Sequence, residues 1–188
     1  MSANTILDNK LRHDFHPDKP VWVFGYGSLI YKVDFPYLAK APAFIEGYVR
    51  RFWQGSHDHR GTPDAPGRVV TLIAESNAVC NGMAYLVEPQ VFEHLDYREK
   101  NGYLRITRDL VFVESGDRKE GIVYIADEDN SAFLGAASEL EIAEHIARSF
   151  GPSGSNADYL LELAEVLRGM GIEDDHVFAI EKHLLNLM

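Results

Sequence analysis

The sequence predicts an α+β fold in which a mixed β-sheet curls into a small β-barrel and helices flank it. Three observations carry that reading. Short apolar, β-branched and aromatic runs fill the first two-thirds of the chain; helical apolar stripes fill the last third; and no repeat or long linker divides them. Periodicity alone does not demonstrate closure of the sheet.

Strands are expected at 20–25, 43–54, 68–75, 80–88, 104–114 and 120–126, several with the period-two alternation of a half-buried sheet. One short helix interrupts them from Val91 to about Tyr97, with Pro89 opening it and Phe92 and Leu95 facing the core. Three helical stripes follow. The first comprises Leu140, Ala143, Ile146 and Ala147. The second, Leu160, Leu163, Leu167 and Met170, starts after Asn156 as N-cap and ends at Gly171. The third, Val177, Ile180, Leu184 and Leu187, follows Asp174 and Asp175. The breaker-rich stretch Gly151-Pro152-Ser153-Gly154-Ser155-Asn156 is short enough to join packed elements. We therefore expect an N-terminal extension over 1–19 and a single domain over 20–188.

Composition narrows the function classes. With 188 residues, 46% of them hydrophobic, the chain supports a substantial core. Residues 1–19 are polar and no apolar run approaches the ~20 residues of a membrane span. The single cysteine, Cys80, excludes an internal disulfide and suits a reducing compartment, so a cytoplasmic location is expected. The net charge of −11 is concentrated late, since residues 109–188 hold five basic and seventeen acidic groups. That field opposes phosphate backbones, and nucleic acid is not an expected partner. The near-neutral first part, with Arg50, Arg51, Arg60, Arg68 and Arg105, can still accept a small anion.

Two segments carry chemistry. Val21-Trp22-Val23-Phe24-Gly25-Tyr26-Gly27-Ser28-Leu29-Ile30 reads as a buried strand that breaks into a glycine-punctuated turn. Gly25 and Gly27 permit backbone angles closed to other residues, so successive N–H groups can converge on an oxygen, and Ser28 adds a hydroxyl. A tight turn whose glycines serve packing explains the same residues. Neither a dinucleotide fingerprint nor a Walker loop is present. The second segment, Leu95 to Tyr103, ends a helix at a turn marked by Asn101-Gly102, and Glu99 sits at that transition. By composition Glu99 reads as a solvated charge between Arg98 and Lys100. Neighbours at i±1 point apart, so neither cation is required to pair with it. His57-Asp58-His59 lacks a third metal ligand at characteristic spacing.

Both segments, in this order, resemble the γ-glutamylcyclotransferases, specifically their ChaC-like, glutathione-specific branch. Four stretches carry the likeness: Val23 to Ile30; Arg51-Phe52-Trp53-Gln54-Gly55-Ser56 on through Asp58 to Pro63 and Pro66 to Leu72; Tyr97 to Tyr103; and Gly151 to Asn156 followed by Tyr159-Leu160 and Asp175-His176-Val177. The resemblance implies cleavage of glutathione to 5-oxoproline and cysteinylglycine, with no metal and no organic cofactor. In that reaction the γ-glutamyl α-amine attacks the γ-carbonyl and closes a lactam. It also implies Glu99 as the proton carrier, and Phe24, Gly25, Tyr26, Gly27, Ser28, Leu29 and Tyr159 as substrate-binding residues. A reference carboxylate is about 5 kcal/mol too acidic to take an amine proton, so a partly desolvated Glu99 with a raised pKa is expected. Two alternatives stay open: other γ-glutamyl amino acids or γ-glutamylamines as substrates, and a non-catalytic module that binds γ-glutamyl compounds. Oligomeric state is not legible.

Overall fold

The computed structural model describes residues 3–188. Strands β1 (Val21–Gly25), β2 (Ala39–Ser56), β3 (Gly67–Val87), β4 (Leu104–Phe112) and β5 (Arg118–Ile125) form a closed barrel in the order β1-β3-β2-β4-β5. Closure is made by a parallel pairing, Val23 against Ile122 and Phe24 against Val123, while every other pair in the barrel is antiparallel. The sheet closes on itself through few pairs: β2 meets β4 only at Ala43–Phe112 and Phe44–Val111.

The two segments expected at 68–75 and 80–88 are one strand, and β2 begins four residues earlier than expected. Straight, the 21 residues of β3 would reach about 70 Å, more than the width of a domain of this size. The hairpin therefore bends, with register shifts between Glu46 and Tyr48 and between Arg51 and Gln54. Gly47, at φ +84°, supplies the left-handed residue at the first of them. Opposite Gly47, residues 75–78 have no partner in the β2 register, and Asn77 takes a left-handed φ of +67°, so the strand crosses an irregularity where the sequence reading left a gap.

Among the described residues six helices surround the barrel: α1 (Ile6–Arg12), α2 (Ser28–Tyr31), α3 (Val91–Arg98), α4 (Glu139–Ala147), α5 (Asn156–Gly169) and α6 (Asp175–Leu187). Strand alternation splits the core in two. Phe24 joins Phe52, Leu110 and Ile125 against Ile142 and Ile146 of α4, Leu160 and Leu163 of α5, and Ile180 of α6. Val23, on the opposite face of β1, joins Tyr85, Val87 and Tyr124 against Val91, Phe92 and Leu95 of α3. Both Val23 and Phe24 are fully buried, as a run without polar alternation requires.

Three helical details differ from the sequence expectation. The buried face of α4 is Ile142, Ala143 and Ile146, leaving Leu140 and Ala147 exposed. Leu187 likewise leaves the core at the end of α6. The N-cap of α5 is Ser155, whose hydroxyl accepts from the Asp158 N–H at 3.1 Å. Asn156 instead lies inside the protein, accepting from the Arg68 N–H (2.7 Å) and donating to the Arg68 carbonyl (2.8 Å). Gly171 ends the second stripe at φ +72°, as a left-handed C-terminal glycine does.

Helix α1 has no strong sequence signal, yet its segment is tied to the turn that follows α3. The Thr5 N–H donates to the Lys100 carbonyl at 2.8 Å, and buried Asn9 donates to the Tyr103 carbonyl and accepts from the Arg105 N–H. Among the described residues no helix is long and apolar enough to cross a membrane.

Candidate active site

Where β1 runs out, its chain passes through Tyr26 and Gly27 into the single turn of α2. Two adjoining recesses open there. The narrower, about 40 Å³, is lined by Phe24, Tyr26, Gly27, Ser28 and Leu29 together with Val70 and Tyr124. The wider, about 200 Å³, runs toward Lys32, Asp58, His59 and Arg60. Ser28, Glu99, Tyr103 and Tyr159 line both. The expected binding residues are thus gathered, except Gly25, which lies behind the wall.

Of the two readings left open for the glycines, the contacts support packing. Neither has a left-handed φ. A Cβ at Gly27 would lie 2.7 Å from the Val70 Cγ2 and 3.1 Å from the Tyr159 hydroxyl; one at Gly25 would lie 2.9 Å from the Leu29 Cβ. Close approach demands glycine at both positions. Gly27 is the N-cap of α2 and has no side chain to cap it, so the N–H groups of Ser28 and Leu29 have no acceptor within the helix. The loop is held from behind, where the Arg50 Nε donates to the Tyr26 carbonyl at 2.6 Å and the Tyr26 hydroxyl donates to the Tyr124 carbonyl at 2.6 Å.

Glu99 is the C-cap of α3, at φ −100° and ψ 20°. Its N–H still donates to the Leu95 carbonyl, while its carboxyl, 15% exposed, turns into the space shared by the two recesses. Among the described residues that carboxyl receives no side-chain hydrogen bond; its one ionic neighbour is the Arg98 Nε at 3.6 Å. Burial pushes Glu99 above the usual carboxylate range, against the opposing pull of Arg98 and His59 and with a further push from Asp58 and Asp34.

The expectation that Arg98 and Lys100 need not pair with Glu99 holds for Lys100, whose ammonium lies 4.0 Å from the centre of the Tyr97 ring. It fails for Arg98. The i±1 argument assumes a regular helix, and the chain turns at Glu99. Buried Arg98 also donates to the Lys32 carbonyl (2.6 Å), to the Asp34 Oδ1 (2.5 Å) and to the Ser28 Oγ (3.0 Å). It therefore pins the α2 turn to the end of α3. Arg98 and Tyr103 stand in the same sequence motif as Glu99. Tyr103, whose hydroxyl donates to the Val70 carbonyl at 2.6 Å, lines both recesses. Their signal was present as motif membership, without spacing that says which way a side chain points.

The remaining candidates separate cleanly. The Tyr159 hydroxyl accepts from the Val70 N–H at 3.2 Å, and its ring stands edge-on to Phe52 and Tyr31. The ring nitrogens of His59 contact the Ser153 Oγ and the Arg98 carbonyl, each at 3.0 Å, joining the 57–61 loop to α3. Short strands β6 (Phe150–Gly151) and β7 (Gly154–Ser155) close the wall beside it. A Cβ at Gly151 would come within 2.5 Å of backbone atoms of His59 and Gly61, and one at Gly61 within 2.5 Å of the Gly67 nitrogen and the Ser56 carbonyl oxygen, so both loops require glycine where they pack. Of the five arginines read as anion acceptors, Arg50 is paired with Asp174, Arg105 with Asp96, Arg68 with the carbonyls of Phe52 and Gly135, and Arg51 with the Arg50 carbonyl. Arg60 alone of these lines the wider recess.

Residues 21–187 match the family model described as ChaC-like protein. The chain is 44% identical over 176 residues to glutathione-specific γ-glutamylcyclotransferase 1 of Danio rerio, covering 88% of this chain and 89% of that one. It is 42% identical over 180 residues to γ-glutamylcyclotransferase 2-3 of Arabidopsis thaliana, covering 89% and 90%. A crystal structure of a selenomethionine-labelled γ-glutamylcyclotransferase specific to glutathione, from yeast, superposes with a TM-score of 0.83 at 34% identity, covering 90% of this chain and 97% of that chain.

Proposed function

The chain belongs to the ChaC-like family, and from that premise we propose that it cleaves glutathione to 5-oxoproline and cysteinylglycine, with Glu99 moving the proton. The observation that carries the role of Glu99 is its carboxyl: buried, raised in pKa, free of side-chain hydrogen bonds and facing both recesses.

In this reading the γ-glutamyl arm folds back in the narrow recess, and cysteinylglycine occupies the wide one. The nitrogen of the α-amine forms a bond to the carbon of the γ-carbonyl, which is Cδ of the glutamyl residue, and the bond from that carbon to the cysteinyl nitrogen breaks. The proton lost by the amine passes to the Glu99 carboxylate and from there to the leaving nitrogen, so no water is consumed. Raising the pKa of Glu99 brings it closer to that of the amine, and the same group serves first as base and then as acid. Confinement supplies the rest, since aligned intramolecular reactions reach effective molarities of about 10⁵ to 10⁸ M. The Ser28 and Leu29 N–H groups, lacking an acceptor in the helix, are available to substrate oxygens, including the developing oxyanion.

Incubating the purified protein with glutathione, and separately with γ-glutamyl-alanine, tests this. Release of 5-oxoproline with equimolar cysteinylglycine is expected from glutathione. Turnover of γ-glutamyl-alanine at equal efficiency would argue for the broader substrate class, and no 5-oxoproline from either would exclude the activity.

A further inference from the structure

Arg60 is an arginine whose buried charge the protein itself does not satisfy. Its side chain is 8% exposed, yet one N–H donates to the Ser155 carbonyl at 3.1 Å and no other side-chain hydrogen bond is made among the described residues. The nearest carboxylate, Glu162, is 52% exposed and lies 4.0 Å away, beyond hydrogen-bond distance. A guanidinium has five N–H groups, so most of its fork is uncommitted. Keeping a cation desolvated without a close counter-ion is costly; buried Arg105 avoids it with a bidentate grip on Asp96, Arg50 with Asp174 and Arg98 with Asp34, while buried Arg68, held by carbonyls, lines neither recess.

The surroundings are shaped to keep this fork in place. The Arg60 guanidinium carbon stands 5.9 Å from the centre of the Tyr159 ring. Gly154, at φ +123°, gives it room, because a Cβ there would meet the Arg60 Nη1 at 3.0 Å. The Arg60 N–H is fixed by the Ser56 Oγ at 2.8 Å. Arg60 lines the wide recess and is absent from the narrow one. Glutathione carries two carboxylates, and the α-carboxylate must travel with the amine into the narrow recess; the one left for the wide recess is that of glycine.

Resting on the function proposed above, we propose that Arg60 receives the glycyl carboxylate of the substrate and is the residue by which the site selects a tripeptide over γ-glutamyl compounds lacking that group. The planar fork matches a carboxylate in two-point contact, which a lysine ammonium does not. Lys32, the other cation on the wall without a carboxylate partner, sits at the exposed rim where water screens its charge.

The test compares kcat/KM for glutathione with that for its monoester, in which the glycyl carboxylate is capped with an ethyl group. The wild-type protein is expected to favour glutathione by about 10- to 100-fold, the size of a charge-assisted pair in a desolvated site. In Arg60→Gln the ratio should fall to within about three-fold of unity, and in Arg60→Lys to an intermediate value. The ratio is read within each variant, so general damage to the fold does not imitate the result, and Arg60→Lys serves if Arg60→Gln does not fold. A wild-type ratio near unity, an unchanged ratio in both variants, or a collapse in Lys32→Gln but not at Arg60 would overturn the assignment while leaving the cyclotransferase reading intact. No 5-oxoproline from either compound would instead overturn the reading beneath it.

Discussion

Asp96 and Glu99 are two carboxylates within one turn at the end of the same helix, and the protein treats them in opposite ways. Asp96 is 4% exposed and saturated: the Arg105 Nε donates at 2.8 Å, the Arg105 Nη2 donates to its second oxygen, and the Tyr124 hydroxyl donates at 2.6 Å. Glu99 is almost as enclosed, and has only a guanidinium at 3.6 Å. The first arrangement locks α3 onto β4 and β5. The second leaves a carboxyl whose charged form burial disfavours. Proximity in sequence therefore says little about role; the number of donors aimed at each oxygen decides it.

Glu99→Gln is the largest expected effect. It should lower 5-oxoproline release by about 10³-fold while leaving glutathione affinity and the urea midpoint near wild type, because no hydrogen bond to the carboxyl is lost. If it destabilised the fold instead, the contrast with Asp96 would be gone. Asp96→Asn should do the reverse, removing the counter-ion from buried Arg105 and lowering stability by about 3 kcal/mol in denaturant titration. A stability loss under about 0.5 kcal/mol would show that the pair is not structural.

His176 sharpens the comparison with a neutral group. Its Nε2 accepts the Phe52 N–H at 3.0 Å, and burial, helped by Arg51, lowers its pKa from 6.5 to about 4. The unfolded chain then binds a proton that the folded one refuses. The resulting stability is complete above pH 6.5 and is lost as pH falls from 6.5 to about 4, roughly 3 kcal/mol at about 1.4 kcal/mol per pH unit. Denaturation midpoints should therefore decline over that window more steeply for wild type than for His176→Gln. Equal slopes would place the titrating group elsewhere.

The smallest effect concerns Arg98, whose positive charge lowers the pKa of Glu99. Arg98→Gln removes that pull, so the acid limb of kcat/KM, where Glu99 becomes protonated, should move to higher pH. An unmoved limb would mean that Arg98 serves only to hold Ser28 and Asp34.

Much of this was legible beforehand. The strand ending at Gly25, the helical last third and the motif around Glu99 all follow from local composition, and the resemblance they carry led to the family. The single long β3 reads as two strands because its pairing with β2 is interrupted over residues 75–78, and only the register on either side shows that one strand continues. Asn156 looked like a cap because caps and buried asparagines share one residue type, and the choice lies with a strand 88 residues away. Arg60 was indistinguishable from four other arginines, since only their partners separate them.

By itself, then, the chain determined most of its barrel strands, its longer helices and the kinds of side chain available for chemistry, because those depend on neighbours a few residues apart. The tertiary structure alone decided that the barrel closes through β1 and β5, that Glu99 meets the Ser28 turn across about 70 positions, and which charges are matched and which left open. Those outcomes rest on distances between remote segments, and the energy of a buried charge is set by what surrounds it in space.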